Sequence, residues 1–162
     1  MIFFYFFTAL LLIVAVGFDI TKRTIPNWLT MAGVIGGLSA TYVLFGRAGF
    51  SDHFVGMLIA GGVWFIFWYT GIMGGGDQKL MMAVGANLGS RLAIMAIFLV
   101  AAAGGIQAIL WVVARAFTTG DAKSWKNLLH ETKLPYSLAI AVGTSAAVIL
   151  DEFHILSRCC FF

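Results

Sequence analysis

The sequence predicts an all-α, polytopic membrane protein with a single domain over residues 1–162, about six transmembrane segments, the fourth of them short, and the N-terminus outside. Three observations carry that prediction. The chain is 61% hydrophobic and only 10% charged, whereas a soluble domain carries about 25% charged residues. Its apolar runs approach the roughly 20 residues that a spanning helix needs. Two of its few acids, Asp19 and Asp77, interrupt or close those runs at membrane depth, where ionisable groups are costly.

The first span covers Ile2 to Phe18. It begins without the basic stretch of a cleavable signal peptide, so it is expected to be retained. A polar turn follows, from Asp19 through Thr21, Lys22, Arg23 and Thr24 to Ile25-Pro26-Asn27. Pro26 suits a helix entry, where its fixed φ and missing N–H cost little. The second span covers Trp28 to Phe45, and a short loop is expected at Arg47, Ser51, Asp52 and His53. The third runs from Phe54 to Ile72, with Trp64, Trp68 and Tyr69 expected at the headgroup level.

Next comes the run Gly74-Gly75-Gly76-Asp77-Gln78-Lys79-Leu80. The apolar stretch from Leu80 to Leu88 is too short to cross alone, so it is expected to be a half-length helix buried among the others. A long span, Leu92 to Val113, follows. Between Arg115 and Lys133 the chain is polar; Trp125, Leu128, Leu129 and Thr132 recur at helical spacing, which fits either a short helix on the inner leaflet or a solvated loop. The last span starts at Pro135 and reaches Leu150 or Leu156.

Charge orients these segments. With the N-terminus outside, Lys22, Arg23, Lys79, Arg115, Lys123, Lys126 and Lys133 fall on the cytoplasmic side, and only Arg47, Arg91 and Arg158 fall outside. Asp19 and Asp77 then share the cytoplasmic end. The net charge of +3 is no footprint for nucleic acid, which is not an expected partner. Cys159 and Cys160 are adjacent and give no disulfide framework or zinc site. Gly33-x-x-x-Gly37 and Gly85-x-x-x-Gly89 have the spacing that lets membrane helices approach closely. They serve packing within the bundle or, alternatively, a homodimer.

Two carboxylates within hydrogen-bonding reach share one proton and titrate as a unit. The ionised member can take a proton from water, and the protonated member can donate to a carbonyl oxygen. Peptide hydrolysis by this route needs neither cofactor nor metal, and none is expected. The histidines His53, His130 and His154 are scattered, and the chain contains neither HExxH nor GxSxG. Glycines before Asp77 can take unusual dihedrals and leave room for an extended substrate strand, or they can form a hinge between helices. Lys79 is expected to extend toward the headgroups. Taken alone, Asp19 could simply end the first span.

The stretch Asp19-Ile20-Thr21-Lys22-Arg23-Thr24-Ile25-Pro26-Asn27 resembles the D-x-x-x-R-x-I-P-N stretch of type IV prepilin peptidases. Gly74-Gly75-Gly76-Asp77 matches their GxGD motif, extended to G-x-G-D-x-K-L, and Leu134-Pro135-Tyr136 resembles their entry to the last span. The resemblance implies an aspartic endopeptidase of the cytoplasmic (inner) membrane that acts at the cytoplasmic face. Its substrate would be a prepilin or pseudopilin with a basic leader and an apolar helix, and membrane lipids would surround it. Asp19 and Asp77 align with the catalytic pair. Arg23, Pro26, Asn27, Gly74, Gly75, Gly76, Lys79, Pro135 and Tyr136 are motif or substrate-binding candidates. Larger members add a cytosolic four-cysteine zinc region and methylate the new N-terminus. This chain shows no such region and resembles the short form associated with tight-adherence (Flp-type) pili or with archaeal preflagellin processing. Two alternatives remain: a presenilin-like intramembrane protease, which shares GxGD, and a non-enzymatic proton-coupled transporter or pilus assembly factor.

Overall fold

The computed structural model describes residues 2–71, 73–119 and 136–159, with side chains for 2–71, 73–114 and 136–153. Among these residues the chain is helical, without strands: α1 (Ile2–Lys22), α2 (Asn27–Tyr69), α3 (Gly75–Thr119) and α4 (Tyr136–Cys159). All four are long and apolar enough to cross a membrane.

The helices α2 and α3, of 43 and 45 residues, are too long for one crossing. A straight helix of that length would run roughly 65 Å, about twice the thickness of a bilayer core. Each is interrupted by one glycine in the left-handed region, Gly46 (φ 66°) in α2 and Gly89 (φ 78°) in α3. A side chain at φ of that sign is strained, which is why glycine serves at both points. Contacts show that the interruptions are reversals. The start of α2 and its end both reach the start of α3: Lys79 Nζ donates to Asn27 Oδ1 at 2.9 Å, and a Cβ on Gly75 would lie 3.2 Å from the Trp68 indole nitrogen. Helix α2 is therefore a hairpin around Gly46. Helix α3 likewise leaves the Asp77 end, turns at Gly89, and returns so that Gly104 lies beside Tyr136 of α4.

The expected loop at Arg47, Ser51, Asp52 and His53 is corrected by this geometry. Those residues are helical, and only Gly46 leaves helical dihedrals. Ser51 Oγ donates back to the carbonyls of Arg47 and Ala48, so the polar residues satisfy themselves without ending the helix. Trp64 is also corrected. It is buried in the core, whereas Trp68 and Tyr69 are exposed as expected of an aromatic belt.

The half-length helix is present as residues 75–88, and it forms the centre of the molecule. From Leu80 to Gly89 only Met82 keeps partial exposure. The two arms of α2 flank it. Gly33 and Gly37 on the first arm face Ala83 and Asn87, and Gly56 on the second faces Gly85 and Gly89. Both expected close-approach motifs are thus occupied inside the chain. Asn87 adds a polar link, donating from Nδ2 to the carbonyls of Gly33 (3.0 Å) and Ala83 (2.7 Å).

Segment 121–133, Pro135, His130, Cys160 and the side chains of Cys159 and His154 lie outside the described residues.

Candidate active site

The last turn of α1, the first turn of α3 and the first turn of α4 meet at one end of the bundle. Asp19 is carried by α1, which ends three residues later. Arg23 terminates that helix with φ 51°, a left-handed conformation usual for glycine at this position, and its amide donates to the Asp19 carbonyl at 2.9 Å. The exit of the chain is thereby fixed one turn beyond the carboxylate.

The short link that follows packs directly on the glycine run. Ile25 is buried, and a Cβ on Gly76 would lie 3.2 Å from its Cβ. Pro26 caps α2 in an extended conformation, and its carbonyl accepts the amides of Leu29 and Thr30. Asn27 then meets Lys79 across the groove, so the Lys79 ammonium is bound to the protein and not simply extended to the headgroups. Three contacts between the two motif stretches, at Ile25, Asn27 and Asp19, bring α1 and its linker onto the start of α3.

Asp77 lies in the first turn of α3, with its amide donating to the Gly74 carbonyl at 3.2 Å. Its carboxylate lies within electrostatic range of Asp19 and of Tyr136 on α4. The structure therefore brings Asp19, Asp77 and Tyr136 together.

The glycines act differently from the expectation. Gly74, Gly75 and Gly76 do not take positive φ; the left-handed residue before α3 is Gly71 (φ 76°). Gly75 and Gly76 are already helical, and they matter because they have no side chain. A Cβ would crowd Trp68 at Gly75 and Ile25 at Gly76, and at Gly74 it would come within 3.3 Å of Asp77 Oδ2. Gly74 links α2 to α3 and Gly75 and Gly76 open α3, with space kept around the acid.

One contact was not legible in the sequence. Ser137, fully buried in the first turn of α4, donates from Oγ to Asp19 Oδ2 at 2.5 Å. The only signal for it was a small polar residue just after Pro135-Tyr136. A second polar cluster, at the opposite end, was also missed. There Tyr5 donates to the buried Asp151 at 3.1 Å, Arg91 lies 4.0 Å from the same carboxylate, and Ser90 donates to Asp52. His53 belongs to that end, with Nδ1 3.0 Å from the Ala86 carbonyl and its ring 5.3 Å from that of Phe4. It is remote from the aspartates and serves packing.

Comparison with known proteins agrees with the geometry at the family level. No curated protein and no solved structure matches the chain. The model of the type IV leader peptidase family matches residues 6–109, a stretch that includes Asp19, the linker to Asn27, the glycine run and Asp77. A multi-pass helical membrane chain with that match over most of its length belongs to the type IV leader peptidase family.

Proposed function

We propose that the chain is a membrane-embedded aspartic endopeptidase that removes the basic leader of prepilin-like proteins at the cytoplasmic face of the inner membrane. Membership in the leader peptidase family supplies the reaction class. The observation that carries the aspartic mechanism is the convergence of the elements bearing Asp19 and Asp77, which are far apart in sequence and meet at one end of the bundle with the two acids within electrostatic range.

Two like charges sharing one site cannot both be held cheaply, so the proposed reaction starts from a pair with one proton between its members. The ionised carboxylate takes a proton from a water, whose oxygen attacks the scissile carbonyl carbon. The protonated carboxyl donates to the carbonyl oxygen, giving a tetrahedral diol. Collapse returns a proton to the leaving amine, breaks the C–N bond and restores the shared proton.

A cleft between the first arm of α2 and the start of α3, reaching Lys79 two residues beyond Asp77, suits a substrate with an apolar helix. It has a volume of about 390 Å³ and is lined by Met31, Val34, Ile35 and Met82, with Asn27 and Lys79 at its rim. Lys22, Arg23 and Lys79 cluster at the aspartate end, while Arg47 and Arg91 belong to the ends where α2 and α3 reverse. That asymmetry supports the cytoplasmic orientation of the site.

The test is cleavage of a co-expressed prepilin with a lysine-rich leader. Asp19→Asn and Asp77→Asn are each expected to abolish processing while the protein still inserts and folds. Full processing by either variant would rule out the two-aspartate mechanism. Mapping the cut checks the substrate class: cleavage just before the apolar segment is expected, and cleavage within it would favour a presenilin-like protease.

A further inference from the structure

The first turn of α4 reaches the site from outside the stretch matched by the family model, which ends at residue 109. It brings Ser137, whose hydroxyl is 2.5 Å from Asp19 Oδ2 across 118 residues of sequence. Ser137 has no exposed surface. A buried hydroxyl needs a partner, and here that partner is one of the two acids of the site.

The surroundings of Asp19 explain why such a donor matters. Asp19 stands in the last turn of α1, at the end of a helix where unpaired carbonyls make the local potential negative. Its own helix therefore gives its carboxylate no support. The groups facing it from packed helices are Asp77 on α3, which repels it, and Ser137 on α4. Lys22, the nearest cation on α1, turns its ammonium over the Phe18 ring at 5.6 Å. Helix α2 brings Asn27, engaged by Lys79, and the exposed Tyr69 to this end. Among the described residues, the Ser137 hydroxyl is the side-chain donor bonded to Asp19. A short hydroxyl–carboxylate bond is of the strong, charge-assisted kind and fixes direction as well as distance.

We propose that Ser137 is a positioning residue for the reaction proposed above: its hydroxyl holds Asp19 Oδ2, leaving Oδ1, which has no hydrogen bond among the described residues, to take the proton from the attacking water. Asp19 is then the general base and Asp77 the general acid. The proton moves from water to Oδ1 as the new C–O bond forms, and Ser137 keeps its own proton throughout. This assignment rests on the aspartic peptidase reading, but it makes a separate claim about which acid does what.

The experiment uses the full chain purified in detergent and a synthetic peptide with a short lysine-rich leader, a glycine and an apolar helix. Steady-state cleavage is compared for the wild type, Ser137→Ala and Ser137→Thr, with folding followed by reversible unfolding. Ser137→Ala is expected to lower kcat by roughly 10- to 100-fold, less than the roughly 100- to 10,000-fold of a general base itself because the base remains and only its orientation is lost, with KM within about twofold of wild type. Ser137→Thr, which keeps the hydroxyl, is expected to recover most of the loss. Wild-type kcat in Ser137→Ala overturns the inference while leaving the peptidase reading intact. So do equal losses in both variants, which would point to shape in place of the hydroxyl, and a loss of folded protein in Ser137→Ala. Failure of the wild type to cleave the peptide removes the peptidase reading itself.

Discussion

Gly56 tests the central packing of the bundle. It is buried on the second arm of α2, where a Cβ would lie 2.6 Å from the Gly89 carbonyl carbon, 2.7 Å from the Gly85 oxygen and 2.8 Å from the Gly89 oxygen. All three neighbours are backbone, so no side chain can swing away. Ordinary contact is about 3.5–4.0 Å, so Gly56→Ala forces the helices apart by roughly 1 Å. Overpacking of this kind costs about 1–3 kcal/mol. Alanine returns up to about 1 kcal/mol through its better helix propensity. The expected result is a net loss of roughly 1–2 kcal/mol in reversible unfolding in detergent. Gly62→Ala is the control: Gly62 is on the same helix and exposed, and a Cβ there would meet nothing within 4 Å. It should be neutral or stabilising by up to about 1 kcal/mol. Equal stability of the two variants would refute the close approach of α2 and α3.

Other perturbations separate conformation from contact. Gly46→Ala is expected to cost about 1–3 kcal/mol although its Cβ would touch nothing, because φ 66° with ψ −155° is a glycine conformation; an unchanged unfolding curve would argue against a reversal there. Tyr5→Phe removes the donor to buried Asp151 and should destabilise by about 1.5–3 kcal/mol, the range for a hydrogen bond to a charged group, with wild-type kcat for cleavage. Thr144 Oγ1 is buried without a partner among the described residues, so Thr144→Val should stabilise by about 1–2 kcal/mol; a loss instead would reveal an unseen partner. Amide hydrogen exchange should be slowest across Met81–Leu88, where every residue but Met82 is buried, and faster over Gly75–Lys79, and uniform protection along 75–88 would contradict the burial pattern.

The spans were legible because membrane crossing depends on summed hydropathy, which no single residue can hide. The reversals were not. Polar Arg47, Ser51, Asp52 and His53 looked like a loop, yet a helix tolerates such residues when their side chains bond back or meet partners across the bundle. What reverses the chain is one left-handed glycine, and with 19 glycines the sequence does not say which of them it is. The same ambiguity affected the run before Asp77, where the positive φ falls on Gly71 and the glycines of the motif serve space. Asp19 and Asp77 stood out because each is an acid against an apolar background. Ser137 and Asp151 stayed hidden because their partners lie 118 and 146 residues away.

The two polar clusters divide the molecule into a fastened end and a working end. Around the Gly89 reversal, Tyr5, Asp151, Arg91, Asp52, Ser90 and His53 tie all four helices together, and the glycine contacts of Gly56 bring two backbones into touch. At the other end the side-chain hydrogen bonds between helices among the described residues are Lys79 to Asn27 and Ser137 to Asp19, alongside the electrostatic contacts of Asp77. A peptidase must part its helices to admit an extended strand, and the lower cost of doing so lies where fewer and more exposed contacts must yield. Asn27 and Lys79 are both exposed, so their bond exchanges readily with water or substrate. Ser137 is buried, so its bond is expected to outlast that of the exposed rim. If Asp19 and Asp77 are the catalytic pair proposed above, Asp19 would thus keep its orientation through the same motion that admits substrate.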